Sequence, residues 1–204
     1  RDTARLSPTV VTVLRTSVEL ARAPFAVGVA TREEIQRGKP GFALDEALAT
    51  IPGVQVDNRF NYALGERISI RGFGSRAQFG VRGVRVLLDG IPMTTADGQT
   101  TLNNVDVSSL ARVEVVRGPA SALHGNASGG VLQLESDLGE EFAHRRAGGE
   151  LRSSHGADGL SRMQITTRSS LPRLFATVTA SQLKYDGYRD WNTLHAVTGN
   201  RPPF

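Results

Sequence analysis

The sequence predicts a small α/β domain, with a mixed sheet and short helices, followed by a run of antiparallel strands. Two observations lead to this fold class. Between residues 25 and 135, short runs rich in β-branched residues end at glycine or proline, and three helix signals lie among them. After about residue 140 the helix signals stop, and longer segments with alternating side chains begin.

The first 24 residues have no amphipathic period and predict a flexible N-terminal arm. Within this arm lies a compact β-branched segment at residues 9–13. The segment has two interpretations: an ordinary first strand of the domain, or a strand that adds to the sheet edge of another protein. Its residues are Thr9, Val10, Val11, Thr12 and Val13.

The main domain is expected over residues 25–138 and opens with a strand at 25–30. Thr31 can cap the helix that follows, because Glu34, three residues later, can bond back to the cap amide. Glycine and proline at positions 38 and 40 keep this helix short. A second helix is predicted over 43–50 and ends at Pro52-Gly53.

The rest of the main domain is expected to alternate strands with glycine-rich connections. Residues 58–83 alternate short strands and loops, and the polar residues 93–104 predict an exposed loop. Pro119 suits the first turn of a short helix over 119–123, because its missing N–H has no intrahelical partner there. The remaining strands are predicted at 54–56, 85–89, 111–116 and 131–135.

Three strands of the domain end in a charged residue followed by glycine, a residue that permits a turn with positive φ. The blocks are Ile70-Arg71-Gly72, Leu88-Asp89-Gly90 and Val116-Arg117-Gly118. If Arg71 and Arg117 are buried, they need anionic partners. The alternative is that both are ordinary surface arginines.

Beyond the main domain, residues 147–190 predict antiparallel strands at 149–154, 160–170 and 174–184. Met163 and Ile165 alternate with polar neighbours, which places the two sets on opposite faces of a strand. Strands of this length and pattern occur both in transmembrane barrels and in soluble meanders with one wet face. Residues 185–191 suit a membrane interface, and 191–204 predict an irregular or truncated end.

The composition is that of a folded protein without cysteine chemistry. Of the 204 residues, 39% are hydrophobic and 22% are charged, and cysteine is absent. The chain has a net charge of +4, with 22 arginines and two lysines that are scattered among acidic residues and form no long basic run, so we expect no nucleic-acid partner. No apolar run approaches the roughly 20 residues of a membrane helix. The chain begins at Arg1 without a visible signal peptide, which predicts a processed or trimmed start.

No arrangement of side chains predicts catalysis. Residues 72–77 match a dinucleotide-binding fingerprint, but Gly80 and Gly83 interrupt the helix that such a site requires. Asp89 and Glu114 could form an acid–base pair, although structural ion pairing is the simpler role. His124, His144, His155 and His195 are isolated and predict no metal site, and His124 is expected to pack or hydrogen-bond locally.

Several motifs, in this order, resemble TonB-dependent outer-membrane receptors. Residues 9–13 resemble a TonB box, residues 43–56 the helix and strand near the start of the plug domain, and 148–184 the first barrel strands. The plug core is matched by Ile70-Arg71-Gly72, Leu88 to Pro92, Val115 to Pro119 and Gly125 to Val131. The resemblance covers about residues 9–190. It implies a plug domain inside a β-barrel of the outer membrane, facing the periplasm, of which this chain holds only the first strands.

The resemblance also implies a function. TonB, driven by its inner-membrane energising complex, would capture residues 9–13 by strand addition, and the receptor would take up a scarce ligand. A ferric siderophore is expected; cobalamin, haem or another metal chelate are alternatives, as is a soluble plug-like binding domain without transport. The receptor would be no enzyme, with no cofactor and no catalytic residues, and lipid of the outer membrane would surround it.

Two sets of site residues follow from the resemblance. Arg71 and Arg117 match plug arginines that pair with barrel glutamates. The ligand is expected at outward loops over about 58–66, 75–82 and 94–101. Aromatic and cationic side chains there would suit an anionic, ring-bearing chelate. The candidates are Arg59, Tyr62, Arg76, Gln78, Phe79, Thr94, Gln99 and Thr101.

Overall fold

The chain forms two compact units, Arg1–Glu141 and Phe142–Phe204. This computed structural model describes residues 9–37, 39, 41, 43–57, 65–78, 80–137, 147–171 and 174–186. Within these residues, no helix has both the length and the apolar character needed to cross a bilayer.

The first unit is built around a mixed five-stranded sheet. The unit's described strands are β1 Val10–Val11, β2 Val18–Glu19, β3 Ala26–Thr31, β4 Val54–Asp57, β5 Arg67–Ile70, β6 Val84–Leu88, β7 Ile91–Pro92, β8 Leu110–Arg117 and β9 Gly130–Ser136. The five-stranded sheet has the order β3-β8-β9-β6-β7, in which β6 and β9 run parallel and the other neighbours antiparallel. Two further pairs, β1-β2 and β4-β5, lie outside this sheet.

Three short helices complete the first unit and follow their sequence signals closely. They are α1 Arg32–Gln36, α2 Leu44–Leu48 and α3 Ser121–His124, with 3-10 turns at Leu20–Arg22 and Val107–Ser109. The backbone N–H of Thr31 donates to the Glu34 carboxylate at 2.8 Å, as the predicted capping box requires. The α3 helix begins two residues later than predicted, with Ala120 before it supplying the carbonyl that accepts from the His124 N–H at 3.1 Å.

One face of the five-stranded sheet is buried and apolar. The other face has an apolar half and a polar half. On the first face, alternate valines and leucines of β6, β8 and β9 pack against α1, α2 and the β4-β5 pair. On the second face, the apolar half holds Leu87, Val116 and Val131. The polar half of that face carries Arg85, Arg112, Glu114, Gln133 and Glu135.

Two charged residues at strand ends adopt the left-handed conformation. Arg71 has φ 51° and Asp89 has φ 50°, and each precedes a glycine that also has positive φ. This pattern of two successive positive φ values is that of a tight hairpin turn. Because Asp89 lies in its turn, β6 ends one residue earlier than predicted. Its carboxylate accepts bonds at 2.7 Å from both the backbone N–H and the hydroxyl of Ser136.

Residues 9–24 differ from the flexible arm that we expected. They form β1, β2 and a 3-10 turn, and Val11 and Val13 are fully buried beside Val116 and Val131. The apolar half of the second sheet face needs a cover, and these two valines supply it. The interpretation of residues 9–13 as a first strand of the domain therefore describes this structure, and residues 1–8 lie outside the described residues.

The second unit is an antiparallel sheet of three strands in the order β10-β11-β12, as the alternating pattern predicted. The strands are β10 Ala147–His155, β11 Ser161–Leu171 and β12 Leu174–Lys184. Its two faces are inverted relative to a soluble sheet. Arg162 and Arg168 are 6% and 3% exposed, whereas Met163 and Ile165 are 49% and 47% exposed. The predicted fold class, a mixed sheet with short helices followed by antiparallel strands, is confirmed. The predicted interface segment 185–191 lies largely outside the described residues, and residues 191–204 lie entirely outside them.

Candidate functional site

The segment from Thr9 to Arg15, here called the strap, lies across the second face of the sheet. Its backbone is held by side chains from several elements. The Val10 carbonyl accepts a bond from the Arg112 guanidinium, and the Val13 carbonyl lies 2.6 Å from Nε2 of His124. The Thr9 carbonyl accepts from the Leu20 N–H at 2.8 Å. The strap is thus fastened by its main chain, the same groups that strand addition to another protein would use.

Glu114 provides the central attachment of the strap. It lies on β8, is fully buried, and its Oε2 accepts the backbone N–H groups of Thr12 and Val13 at 2.9 and 2.8 Å. Its other oxygen, Oε1, accepts from Arg112 Nε at 2.7 Å. A buried carboxylate is tolerated only when its charge is compensated, and here one cation and two amides do so. The strap and the Arg112–Glu114 pair therefore stabilise each other.

The Thr12 side chain adds a polar network beside Glu114. Its hydroxyl lies 2.8 Å from Glu135 Oε1 and 3.1 Å from the Gln133 amide nitrogen, and that amide also donates to Glu135. His124 lies in hydrogen-bond contact with Val13, 111 positions away in the chain. The expectation that this histidine bonds to a sequence neighbour was therefore wrong. Glu114 was considered only as an ion-pair or acid–base residue, since nothing in the local sequence links β8 to residues 9–13.

The loops 75–82 and 94–101 meet at the opposite end of the sheet from Val10. They are joined by a bridge in which Val81 and Thr100 exchange two backbone hydrogen bonds of 2.9 and 3.1 Å. The bridge lies directly before β6, next to the end of β8, whereas Arg112 holds Val10 at the start of β8. The end of the sheet that carries these two loops is here called the loop end.

The loop 94–101 is stiffened by its own polar side chains. The Thr94 and Thr100 hydroxyls are hydrogen-bonded at 2.9 Å, and Thr95 donates to the Asp97 carboxylate. The Thr95 hydroxyl and the Gln99 N–H hold the pKa of Asp97 below its usual range, with Arg82 contributing from the neighbouring loop. This loop is an ordered turn that presents Thr101 to solvent.

A cleft of about 410 Å³ lies at the loop end, and it contains side chains that the sequence did not single out. Phe73 is 53% exposed there, and Arg76 and Arg82 line the same cleft. An aromatic ring and two guanidinium groups together can hold an anionic ring system by stacking and charge-assisted hydrogen bonds. The signal for Phe73 was its position between two turn glycines, where an aromatic residue has no core to fill.

The predicted ligand residues are only partly brought together. Arg76 lines the cleft and Gln78 is exposed beside it, while Thr94 and Gln99 are half-buried in the neighbouring loop. Thr94 is committed to Thr100, which leaves its hydroxyl little freedom. Arg59, Tyr62 and Phe79 lie outside the described residues.

Arg71 and Arg117 converge on one turn, Pro52-Gly53. The Arg117 guanidinium donates to the Pro52 carbonyl at 3.0 Å, and the Arg71 N–H donates to the Gly53 carbonyl at 2.8 Å. Arg71 is exposed, and within the described part of the chain neither guanidinium forms an ion pair. The structure thus places both arginines at one turn, Arg71 through its backbone N–H and Arg117 through its guanidinium group.

The other chemical patterns do not form sites. Residues 72–77 continue as turns with no helix, so the dinucleotide fingerprint lacks the context it needs. Asp89 and Glu114 have separate partners on separate strands. Nε2 of His155 lies 3.1 Å from the Ser153 hydroxyl, and His144 and His195 lie outside the described residues. Within the residues that the structure describes, no three His, Asp or Glu side chains are grouped to hold a metal ion.

Comparison with known proteins agrees with this architecture. The sequence profile described as the TonB-dependent receptor plug domain matches residues 19–131, more than half of the chain. The chain therefore belongs to the TonB-dependent receptor plug family.

Two relatives and one solved structure show the extent of the similarity. A vitamin B12 transporter, BtuB, of Vibrio vulnificus is 32% identical over 126 residues, 61% of this chain and 20% of that protein. A ferric enterobactin receptor of Pseudomonas aeruginosa is 30% identical over 140 residues, 60% of this chain and 18% of that protein. The crystal structure of the siderophore receptor PirA from Acinetobacter baumannii has a TM-score of 0.57 and 21% identity, covering 80% of this chain and 25% of that one. The chain thus spans about a fifth of the length of these relatives.

Proposed function

We propose that the chain is part of a TonB-dependent outer-membrane receptor that takes up a ferric siderophore. The observation that carries this proposal is the placement of two features on one sheet. A strap that resembles a TonB box and is fastened by its main chain reaches one end, and a cleft with Phe73, Arg76 and Arg82 lies at the other. In such a receptor, the ligand site and the segment that TonB binds must lie apart from each other. A continuous element such as this sheet must connect them.

The proposed capture of the strap by TonB follows from how the strap is held. Val10 and Val11 are extended and paired with β2, while the Val10 carbonyl and the Thr12 and Val13 N–H groups are bonded to side chains of the plug. TonB would replace these side chains with a β-strand, adding backbone bonds to residues 9–13. Glu114 accepts the Thr12 and Val13 N–H groups that a TonB strand would bind. Capture by TonB would therefore break this attachment of the strap to the plug.

Arg71 and Arg117 are proposed to fasten the plug to acidic residues of a surrounding barrel. Both lie at the Pro52-Gly53 turn with no ion-pair partner among the described residues, so two carboxylates of a barrel wall could engage them together. Breaking such an ion pair is unfavourable, because each partner would be left as a buried charge without a counter-charge.

The outer membrane is the proposed location because of the second unit. Its exposed face carries Leu151, Met163, Ile165 and Val178, and its more buried face carries charged residues. This is the alternation of a strand with lipid on one side and a polar interior on the other. Transport of this kind breaks no covalent bond of the ligand, so a non-enzymatic role is proposed, with no cofactor and no nucleic-acid partner.

The ligand class is proposed from the cleft chemistry. An exposed aromatic ring with two arginines favours an anionic ferric siderophore over uncharged chelates. One of the relatives is described as a vitamin B12 transporter, so cobalamin is the alternative to be tested beside it, together with haem.

Val11→Pro in the full-length receptor tests the proposal, because proline removes the N–H that a paired strand must donate. We expect uptake of a radiolabelled ferric siderophore by iron-starved cells to be abolished, while binding to the same cells in the cold changes less than about twofold. Val11→Ala at the same position keeps the N–H and should retain uptake.

Equal loss of binding and uptake in Val11→Pro would contradict the role of the strap. If the cells took up labelled cobalamin or haem but no siderophore, the proposed ligand would be wrong. The proposal that the receptor transports a ligand would still stand.

A further inference from the structure

A second recess lies on the strap face of the sheet, away from the cleft at the loop end. Its volume is about 490 Å³, and its lining comes from elements far apart in sequence. The strap contributes Thr12 and Arg15, β6 contributes Arg85, and α3 contributes His124. A volume of this size suits a small molecule rather than a single water.

The recess has two arginines whose charges the described residues do not neutralise. Arg85 is half-buried, and its Nε is fully buried without a hydrogen-bond partner among those residues. Neither Arg15 nor Arg85 forms an ion pair within the described ranges. The two carboxylates on the same face of the sheet are already engaged: Glu114 by Arg112 and the strap amides, and Glu135 by Thr12 and Gln133.

Two guanidinium groups lining one recess repel each other, and a buried N–H donor without an acceptor is costly. An oxyanion resolves both problems at once, because it accepts from several N–H groups and neutralises the charges. We infer that this recess is a binding site for a small multivalent oxyanion, phosphate or a polycarboxylate, bridging Arg15 of the strap and Arg85 of the sheet.

The site has a consequence for the strap. Arg15 moves with the strap and Arg85 is fixed in β6, so an anion between them adds an attachment that exists only when the strap is docked. By linkage, a ligand that prefers the docked state raises the population of that state. The anion would therefore slow release of the strap, independently of whether the receptor transports a siderophore.

Binding can be measured on the 204-residue chain by calorimetric titration with sodium phosphate and with citrate at low ionic strength, using sodium chloride as the monovalent comparison. We expect dissociation constants of about 1 mM or tighter for phosphate or citrate, and no measurable binding of chloride. Arg15→Asn and Arg85→Gln should each weaken binding by about tenfold or more. Asparagine suits position 15 because it tolerates the φ of 66° found there.

Arg22→Gln is the matched control, since it removes the same charge from an exposed arginine outside the recess. Hydrogen exchange at the Val13 amide provides a second readout, and saturating phosphate should slow it in the unmodified chain and not in Arg15→Asn. The inference is overturned if neither anion binds, if Arg22→Gln weakens binding as much as Arg15→Asn, or if phosphate leaves exchange at Val13 unchanged.

Discussion

Two acidic side chains of the first unit show how environment decides the role of a residue. Glu114 is fully buried, yet both of its oxygens are engaged, by Arg112 and by two strap amides. Glu66 is half-buried, and its Oε2 has no hydrogen-bond partner among the described residues. The first carboxylate is a structural anchor, whereas the second is held where ionisation is unfavourable.

Burial raises the pKa of Glu66 to about 7; the Leu44 N–H opposes this shift, and Asp45 and Glu46 add to it. The folded state therefore keeps the proton longer than the unfolded state does. Between pH 4.5, the ordinary value, and about pH 7, stability falls as pH rises, and the loss is complete above that range.

Glu66→Gln removes this ionisation and should stabilise the chain at pH 8 by about 1–2 kcal/mol, the discounted equivalent of the pKa shift, with almost no gain at pH 4. Urea unfolding followed by circular dichroism at the two pH values measures the difference. Glu33→Gln, at an exposed site paired with Arg37, is the control and should show no such pH dependence. A gain for Glu66→Gln that is equal at both pH values would show that ionisation is not its cause.

Arg71 is a residue whose backbone conformation departs from its ordinary preference. A left-handed φ of 51° is disfavoured for an arginine by about 1 kcal/mol or more, and asparagine or glycine would fit the turn better. The long cationic side chain at this position is therefore not explained by the turn itself. Its position beside Arg117 at the Pro52-Gly53 turn is consistent with the proposed attachment to a barrel wall.

The strap is the element whose state matters most for the proposed mechanism. Its apolar residues Val11 and Val13 contribute to the core, but its position along the sheet is set by polar bonds to Arg112, Glu114 and His124. Hydrophobic contact is not directional, whereas these hydrogen bonds select one register. An element held this way can be released as a unit when its polar attachments are broken.

Glu114→Gln tests this account of the strap. Glutamine keeps the size but cannot compensate Arg112, and its amide group presents one acceptor oxygen where the carboxylate has two, so about 2–4 kcal/mol of local stability should be lost. Amide exchange at Thr12 and Val13, measured by hydrogen-exchange mass spectrometry, should accelerate by about tenfold or more, while exchange in β9 changes little.

Glu135→Gln serves as the control for that substitution. It affects only the Thr12 hydroxyl and Gln133 amide contacts, both at exposed or half-exposed positions, and a much smaller acceleration is expected. Identical exchange rates in Glu114→Gln and the unmodified chain would show that Glu114 does not hold the strap.

At the scale of the whole molecule, the two units follow opposite rules of burial. The first unit encloses valine and leucine side chains within a mixed sheet, as a water-soluble domain does. The second unit exposes Leu151 and Val178, each at 65%, and buries Arg162 and Arg168. The pattern of the second unit is the one expected of strands with lipid on one side, as proposed above.

Replacing Ile165 and Val178 together by arginine tests the lipid-facing role of the second unit. Each substitution should cost about 2–4 kcal/mol against hydrocarbon, so binding of the 204-residue chain to phospholipid vesicles should fall by more than about tenfold in a flotation assay. Ile91→Arg, at a 69% exposed apolar position of the first unit, is the control and should leave flotation unchanged. Equal flotation of the double variant and the unmodified chain would contradict the proposal.

Much of the fold followed from local patterns in the chain. Strand positions agreed within one or two residues in the main domain, because alternation and turn glycines are short-range signals. The capping box at Thr31 and Glu34 was likewise readable, since both partners lie within one helical turn. The motifs around Arg71, Asp89 and Arg117 identified the family because several occur in order over the chain.

Less of the candidate site could be predicted from the sequence, because its contacts join residues that are far apart in the chain. Glu114 bonds residues 101 and 102 positions before it, and Arg85 meets Arg15 only where the strap crosses the sheet. No local period encodes such pairs. Phe73 was visible in the sequence, but only the turn that brings it beside Arg82 makes it part of a cleft.

By itself, the sequence determined the main strands and helices after residue 24, the fold class and the family, because these depend on periodicity, turn residues and motif order. The tertiary structure alone decided that residues 9–24 are docked, that Glu114 holds them, and that two arginines face one recess. The physical reason is that side-chain direction and sheet order, which bring distant residues together, are set only when the strands pair.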